Sequence, residues 1–261
     1  VHSDHSHFGC RGIGSGHAPM SGYRQLEHGG DISQFAADFP DSAQPWLDLS
    51  TGVNPWAYPL SSDNSAYHSL PTRAQKRACR AAMANAFSCH PENVLPVPGS
   101  EAVIRMLPIL LPDRTLVLSS PTYGDYAYAW QSTNQKVETV RDQLDHVAQH
   151  AGKVTGQRYV YVVCNPNNPD GVVRDRSWLA ALAEQTTQSD GWLIIDEAYA
   201  DALPGCSMTA HPVVPNVLIL RSFGKFYGLP GLRLGAVIAR TEILDRLSDL
   251  LGHWAVSGKA L

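Results

Sequence analysis

The sequence is short of charge. Aspartate, glutamate, lysine and arginine make up 17% of its 261 residues and nearly cancel, leaving a formal net charge of −4. A nucleic-acid partner would call for a basic patch or stripe, so nucleic-acid binding is not expected. Runs of 18 or more apolar residues are missing, so no membrane span is expected either. The first thirty residues are polar and glycine-rich and lack an apolar stretch, which argues against a secretory signal. Cys10, Cys79, Cys89, Cys164 and Cys206 lie far apart and form no C-x-x-C pair. An odd, scattered set reads as reduced thiols in a cytosolic protein. Neither G-x-x-x-x-G-K-[ST] nor G-x-G-x-x-G after a strand occurs, so the two common glycine-rich phosphate loops are absent.

What is present is enough apolar material, 44%, to fill a sizeable core. Residues 1–24 read as a flexible tail with little to bury. Its His2, His5 and His7 are possible metal ligands, but they lie on no rigid element, and no metal is expected. From about residue 72 helical and strand-like stretches alternate. "TRAQKRACRAAMANAF" reads as helix, "NVLPVPG" as a short strand, and "SEAVIRMLPILL" as the helix after it, with Pro108 a candidate kink. "TLVLSS", "KVETV", "RYVYVVC", "WLIIDEA", "NVLILRS" and "LGAVIA" read as strands, several apolar throughout, as strands covered on both faces should be. Asp175 can cap a helix that puts Trp178, Leu179 and Leu182 on one face. The layout is α/β, with a mostly parallel sheet flanked by helices.

In such sheets ligands gather beyond the carboxyl ends of the strands. Four of those ends carry unusual residues. Gly99-Ser100-Glu101 opens a helix whose N–H groups suit an anion, although Ser100 as a plain N-cap fits the segment too. "CNPNNPDG" (164–171) is a rigid turn rich in amide donors, or simply a loop. Asp196 follows a buried apolar strand, where a carboxylate needs a cation or donors, and Tyr199 brings a phenol to the same space; a helix cap is the plainer alternative. "LRSFGKFYGLPGLRLG" supplies Lys225, an amine among aromatics and glycines that suits attack on a carbonyl, flanked by Ser222 and Arg233, which suit a phosphate. Together these groups describe one ligand: pyridoxal 5′-phosphate, with a lysine for its carbonyl and an aspartate for its ring nitrogen.

The spacing S-x-x-K, with Arg233 eight residues after Lys225, resembles the lysine motif of the fold-type-I, class I/II aminotransferase superfamily. "PTYGDY", "NPNNPDG" and "DEAY" match in the expected order, and the resemblance runs from about residue 26 to 261. It implies the pyridoxal-phosphate-binding large domain of that fold over 56–240, preceded by an arm (25–55) with substrate-contacting segments. It implies that Lys225 holds the cofactor covalently and moves protons, and that Asp196 keeps the ring nitrogen protonated. Asn168 and Tyr199 would bond the phenolic oxygen, and Tyr123 would stack on the ring. Gly99, Ser100, Glu101, Ser222 and Arg233 would hold the cofactor phosphate, with Tyr67 reaching it from the partner subunit of a homodimer with shared sites. His28, Gly29, Asn54 and Asn168 match substrate-contacting positions, with His28 as a mere turn residue left open. "LEHGGDI", "WLDLSTGVNP" and "YHSLP" resemble members that decarboxylate a phosphorylated amino acid, with amino transfer on a phosphate-bearing substrate, or a cofactor-binding fragment without activity, as the alternatives. Members normally continue into a small C-terminal domain bearing arginines, and have proline where His253 and Lys259 stand. Residues 241–261 are therefore expected to be the interdomain helix and the start of a small domain that is largely missing, in a fragment or a truncated chain.

Overall fold

The computed structural model describes residues 28–61, 65–141, 150–151, 158–203 and 205–261. The expected tail, with His2, His5 and His7, lies outside the described residues. Among those described, seven strands form one sheet: β1 (Val94–Val97), β2 (Thr115–Ser120), β3 (Val137–Arg141), β4 (Tyr159–Cys164), β5 (Trp192–Asp196), β6 (Val217–Ser222) and β7 (Gly235–Ile238). Their order is β1-β7-β6-β5-β4-β2-β3. From β6 through β3 every pairing is parallel, and β7 runs antiparallel to both β6 and β1. The expected α/β layout with a mostly parallel sheet is thus what forms.

Around it lie α1 (Ser33–Asp38), α2 (Arg73–Ala86), α3 (Ser100–Leu110), α4 (Asp125–Ser132), α5 (Arg176–Gln188) and α6 (Thr241–Leu251). Thr72 and Gln75 close a capping box on α2, each side chain bonding the other's backbone N–H. Asp175 caps α5 by accepting from the Trp178 N–H at 2.8 Å. Pro108 sits in the last turn of α3, and the helix ends two residues later.

Period-2 alternation explains how the sheet is sandwiched. Along β4, Tyr159, Tyr161 and Val163 pack into the core under α2 and α5, while Val160, Val162 and Cys164 pack into the core under α3, α4 and α6. The same split holds in β5 (Leu193 and Ile195 against Ile194) and in β6 (Val217 and Ile219 against Leu218 and Leu220). Even-numbered residues at these strand ends, Asp196 and Ser222, therefore face the α3/α4 side. Their odd-numbered neighbours Glu197 and Arg221 face the α2/α5 side.

The two antiparallel pairings have a positional effect. β1 is reversed relative to β7, and β7 relative to β6, so the C-terminal end of β1 lies at the same edge as those of the parallel strands. Gly235 pairs with both Ser222 and Val97. A Cβ at Gly235 would come within 2.8 Å of the Arg221 carbonyl and 2.9 Å of the Ser100 nitrogen, so only glycine lets the start of α3 close on the sheet here.

On the opposite face a buried ion network ties the same strand ends together. Arg221 donates to Glu197 at 2.9 Å and also to Asp201, and its guanidinium lies 4.7 Å from the Phe87 ring centroid. Glu197 further accepts from the Ser207 hydroxyl and the Met208 N–H, both at 2.6 Å. Burial still pushes its carboxyl above the ordinary range. Removing one partner of such a network leaves an uncompensated buried charge. Arg221→Met should therefore cost about 3–5 kcal/mol of stability, read as a lowered urea midpoint. The double variant with Glu197→Gln should recover part of that loss. A single variant as stable as the parent would show that the network does not brace the fold.

Candidate active site

Asp196 ends β5 as its last residue rather than following it, and is 6% exposed. Its Oδ2 accepts from the Tyr126 phenol at 2.7 Å and its Oδ1 from the Ala198 N–H at 3.0 Å. Burial nevertheless raises its proton affinity, and these two hydrogen bonds and the Lys225 charge offset only part of the rise. A carboxylate so placed is suited to a cationic partner in the cleft in front of it.

That cleft is lined by Ser100, Glu101, Tyr123, Cys164, Asn168, Asp196, Tyr199 and Lys225. It opens outward past His28, Gly29 and the 50–52 segment. Lys225 Nζ lies 5.8 Å from the Tyr199 ring centroid. Tyr199 has its phenol pushed up by burial first and by Asp196 second, so it remains a neutral donor. Gly52 lies directly against it: a Cβ there would meet the phenol oxygen at 2.7 Å.

The asparagines of "CNPNNPDG" divide their work. Asn165 is buried and exchanges side-chain hydrogen bonds with the Arg174 backbone, at 3.1 and 2.8 Å. Asn167 donates to the Pro121 carbonyl and to Asp170, and accepts from the Thr122 hydroxyl at 2.7 Å. These two hold the turn, and Asn168 is left lining both the inner and the outer cleft.

At the start of α3 the N-cap is Gly99, with φ +83°, and not Ser100, which is the first helical residue. A Cβ at Gly99 would come within 2.8 Å of Arg233 Nη2, so the missing side chain lets that guanidinium lie against the backbone. The Glu101 carboxylate stands 3.8 Å from both Arg105 and Arg233. Its side chain therefore meets cations, and its backbone N–H is the group suited to an anion. Ser222 closes β6 and accepts from the Gly224 N–H at 3.3 Å, with its own hydroxyl proton free to turn elsewhere.

Of the expected site residues, Gly99, Ser222 and Arg233 do not line the cleft but stand beside the start of α3, and Asn54 and Tyr67 stand apart from the cleft. Asn54 does not line it: its amide donates to the Phe226 carbonyl at 2.8 Å, its N–H to the Lys225 carbonyl at 3.0 Å, and its side-chain oxygen accepts from Trp56. Tyr67 ends a short turn on the surface, 66% exposed, with Lys259 Nζ 5.9 Å from its ring centroid. His28 does reach the outer cleft, its Nε2 3.2 Å from Asp125 Oδ2.

Sequence reasoning did not single out Tyr126, Asp125 or Gly52. The fully buried Asp125 gathers Arg105, His28 and the Tyr123 phenol, whose pKa burial pushes up first and Asp125 second. Both helix residues sit in "PTYGDY", which puts a carboxylate and a phenol in the first turn of α4 just after Tyr123, but nothing in the segment says which phenol meets Asp196.

Comparison with known proteins bears on this site. The family described as aminotransferase class I and II matches residues 48–260. The chain is 40% identical to a threonine-phosphate decarboxylase of a Sinorhizobium species, over 90% of this chain and 69% of that protein. It is 34% identical to the Pseudomonas aeruginosa threonine-phosphate decarboxylase, over 89% of this chain and 68% of that one. The histidinol-phosphate aminotransferase of Sinorhizobium meliloti, solved in complex with pyridoxal-5′-phosphate, shares the fold, with a TM-score of 0.65 and 21% identity. That match covers 72% of this chain and 54% of the other.

The Asp196 geometry sets a pH dependence. Folding raises its proton affinity, so its contribution to stability is fully present below the unfolded aspartate pKa of about 3.9 and is lost as pH rises through the folded value. In the ligand-free chain Asp196→Asn should thus be more stable than the parent at pH 7, with the gap closing toward pH 4. Urea unfolding of both proteins at several pH values measures it, and a gap that does not change with pH would refute the assignment.

Proposed function

Since the chain belongs to the class I and II aminotransferase family, we propose that it is a pyridoxal 5′-phosphate-dependent decarboxylase of L-threonine O-3-phosphate, releasing carbon dioxide and (R)-1-amino-2-propanol phosphate. Such an activity is a carbon–carbon lyase reaction of cobalamin biosynthesis, in a cytoplasmic setting. The observation that carries the reading is the convergence of Asp196, Asn168, Tyr199 and Lys225 on one cleft beside the start of α3. The names of the two decarboxylases at 40% and 34% identity support this choice of reaction over amino transfer.

The residues present fit the cofactor. Asp196 is a buried carboxylate short of a cation, and a protonated ring nitrogen is one. Asn168 and Tyr199 offer donors for a phenolic oxygen, and Tyr123 a ring to stack on. The N–H groups of Gly99, Ser100 and Glu101, the Ser222 hydroxyl and the Arg233 guanidinium form a phosphate cradle. When bound, pyridoxal phosphate supplies the electron sink for the pair left by the departing carboxylate. The chain's own part is to hold and orient. Lys225 would anchor the cofactor through its ε-amino group and, as a free amine beside the cleft, would be placed to carry a proton to Cα. His28 and Gly29 line the outer cleft, where the substrate is held, and so help select which bond at Cα is cleaved. Asn54 acts on the same centre through the Lys225 and Phe226 backbone.

A homodimer with shared sites belongs to the proposal. Its support is the large apolar side chains left exposed at the end of the arm and the start of the large domain: Leu47, Leu49 and Trp56 are 79%, 81% and 82% exposed. Surfaces of this kind mark interfaces. Tyr67 would reach the partner's phosphate cradle across it. An arm over 25–55, a large domain over 56–240 and a segment 241–261 leading toward a small domain complete the arrangement.

Two measurements test the reading. Borohydride treatment of the protein with pyridoxal phosphate should fix the cofactor on Lys225, and mass mapping to another lysine or to none would reject the site. Phosphothreonine should release carbon dioxide, and Lys225→Ala should abolish that release. Transamination of histidinol phosphate with 2-oxoglutarate in its place would reassign the chain to the aminotransferases. Mixing Lys225→Ala with Tyr67→Phe subunits should restore cofactor affinity in one site of the hybrid, and a monomer with full affinity would exclude the shared site.

A further inference from the structure

Tyr126 has no part in the reading above, yet it is the side chain that grips Asp196. It is the second residue of α4 and is fully buried. Around it are apolar residues of the α3/α4 core, which a phenylalanine would satisfy equally well. A hydroxyl placed there needs a partner, and the partner is Asp196 Oδ2, at 2.7 Å.

We propose that Tyr126 is a positioning residue: its phenol holds Asp196 as a carboxylate and fixes that carboxylate against the cleft, and Asp196 in turn holds the proton on the cofactor's ring nitrogen. The inference rests on the proposed cofactor site. Four other groups with side-chain charge or titratable protons face Asp196: Tyr123 beside α4, Cys164 at the end of β4, Tyr199 after β5, and Lys225 after β6. Burial pushes Tyr123, Cys164 and Tyr199 up, which keeps them neutral. Tyr123 turns its phenol to Asp125, and the Cys164 sulfur lies 3.5 Å from the Thr122 hydroxyl, so neither serves Asp196. Lys225 is committed to the cofactor in the proposed site. What remains for Asp196 is the Ala198 N–H on Oδ1 and the Tyr126 hydroxyl on Oδ2.

The geometry also makes Tyr126 stiff. Its ring meets Tyr123 edge-on, with centroids 6.3 Å apart and planes at 82°. The ring-stacking residue and the clamp on Asp196 are thus three residues apart, on either side of the start of α4. Burial and the neighbouring carboxylate push the Tyr126 phenol well up, so it stays a donor throughout the working pH range.

The test uses Tyr126→Phe in the cofactor-loaded protein, with pyridoxal phosphate carrying ¹⁵N in the ring. A hydrogen bond to a charged group corresponds to about 1–2 pH units of titration shift. The ring nitrogen should lose its proton at a pH lower by that amount, and cofactor affinity should fall about tenfold. In an Asp196→Asn background the same substitution should change neither quantity, whereas a merely structural role would persist there. Replacing Tyr126 with a fluorinated tyrosine, a stronger donor of nearly the same shape, should shift the titration the opposite way and covers the case of a phenylalanine variant that folds poorly. In the ligand-free chain, ¹³C-labelled aspartate should report an Asp196 carboxyl titrating about 1–2 units higher in Tyr126→Phe. Unchanged ring and Asp196 titrations would overturn the proposal. Failure of the parent protein to take cofactor on Lys225 would instead overturn the reading it rests on, and the ¹³C titration would still decide whether Tyr126 governs Asp196.

Discussion

Asp196 lies where β5 runs out, with apolar residues behind it on both faces of the sheet. Little of it is open to water, so the protein must supply donors or a ligand must supply a cation. Much of the surrounding architecture answers that requirement. α4 delivers a phenol, the turn after β5 delivers an N–H, and the loop after β6 delivers an ammonium. The carboxylate remains under-compensated even so. That residual penalty is what a protonated ring nitrogen would relieve, and it links the stability of the empty fold to the affinity of the site.

The second organising constraint is the pleat. Because successive side chains alternate, one residue position separates chemistry from scaffolding at both strand ends. Asp196 faces the cleft and Glu197 faces the brace; Ser222 points to the same side of the sheet as Asp196, and Arg221 to the brace. The ion network under the sheet therefore clamps the two strands whose upper faces carry site residues. A shift of one residue in either strand would send the site residues into the lower core.

Much of this was legible in the amino-acid order. The continuous apolar runs of "RYVYVVC" and "WLIIDEA" required cover on both sides, and their polar termini marked the functional edge. Lys225, Asp196, Asn168 and Tyr199, read from different strand ends, meet in one cleft. Other features were not legible. Capping propensity favoured Ser100, but the start of α3 presses against Gly235 and Arg233, and only Gly99 takes the positive φ needed. Asn54 resembled a substrate contact in sequence, and its hydrogen bonds to the lysine loop depend on a chain crossing that no local pattern records. Tyr126 looked like one aromatic among several, since nothing in "GDYAYAW" tells which phenol meets a carboxylate seventy residues away.

The arm's grip on the lysine loop has a consequence for the order of folding. Asn54 binds the Phe226 carbonyl across 172 residues of sequence, and Tyr58 N–H binds the Tyr227 carbonyl at 2.8 Å beside it. A Cβ at Gly228 would collide with the Asn54 carbonyl at 2.6 Å, so arm and loop are shaped against each other. Contacts that span so much chain repay their loop-closure entropy only after the intervening sheet exists. The seat of Lys225 is accordingly among the last parts of the molecule to acquire its final form. Lys225 lies between β6 and β7 in the chain, so its seat waits on strands made both before and after it.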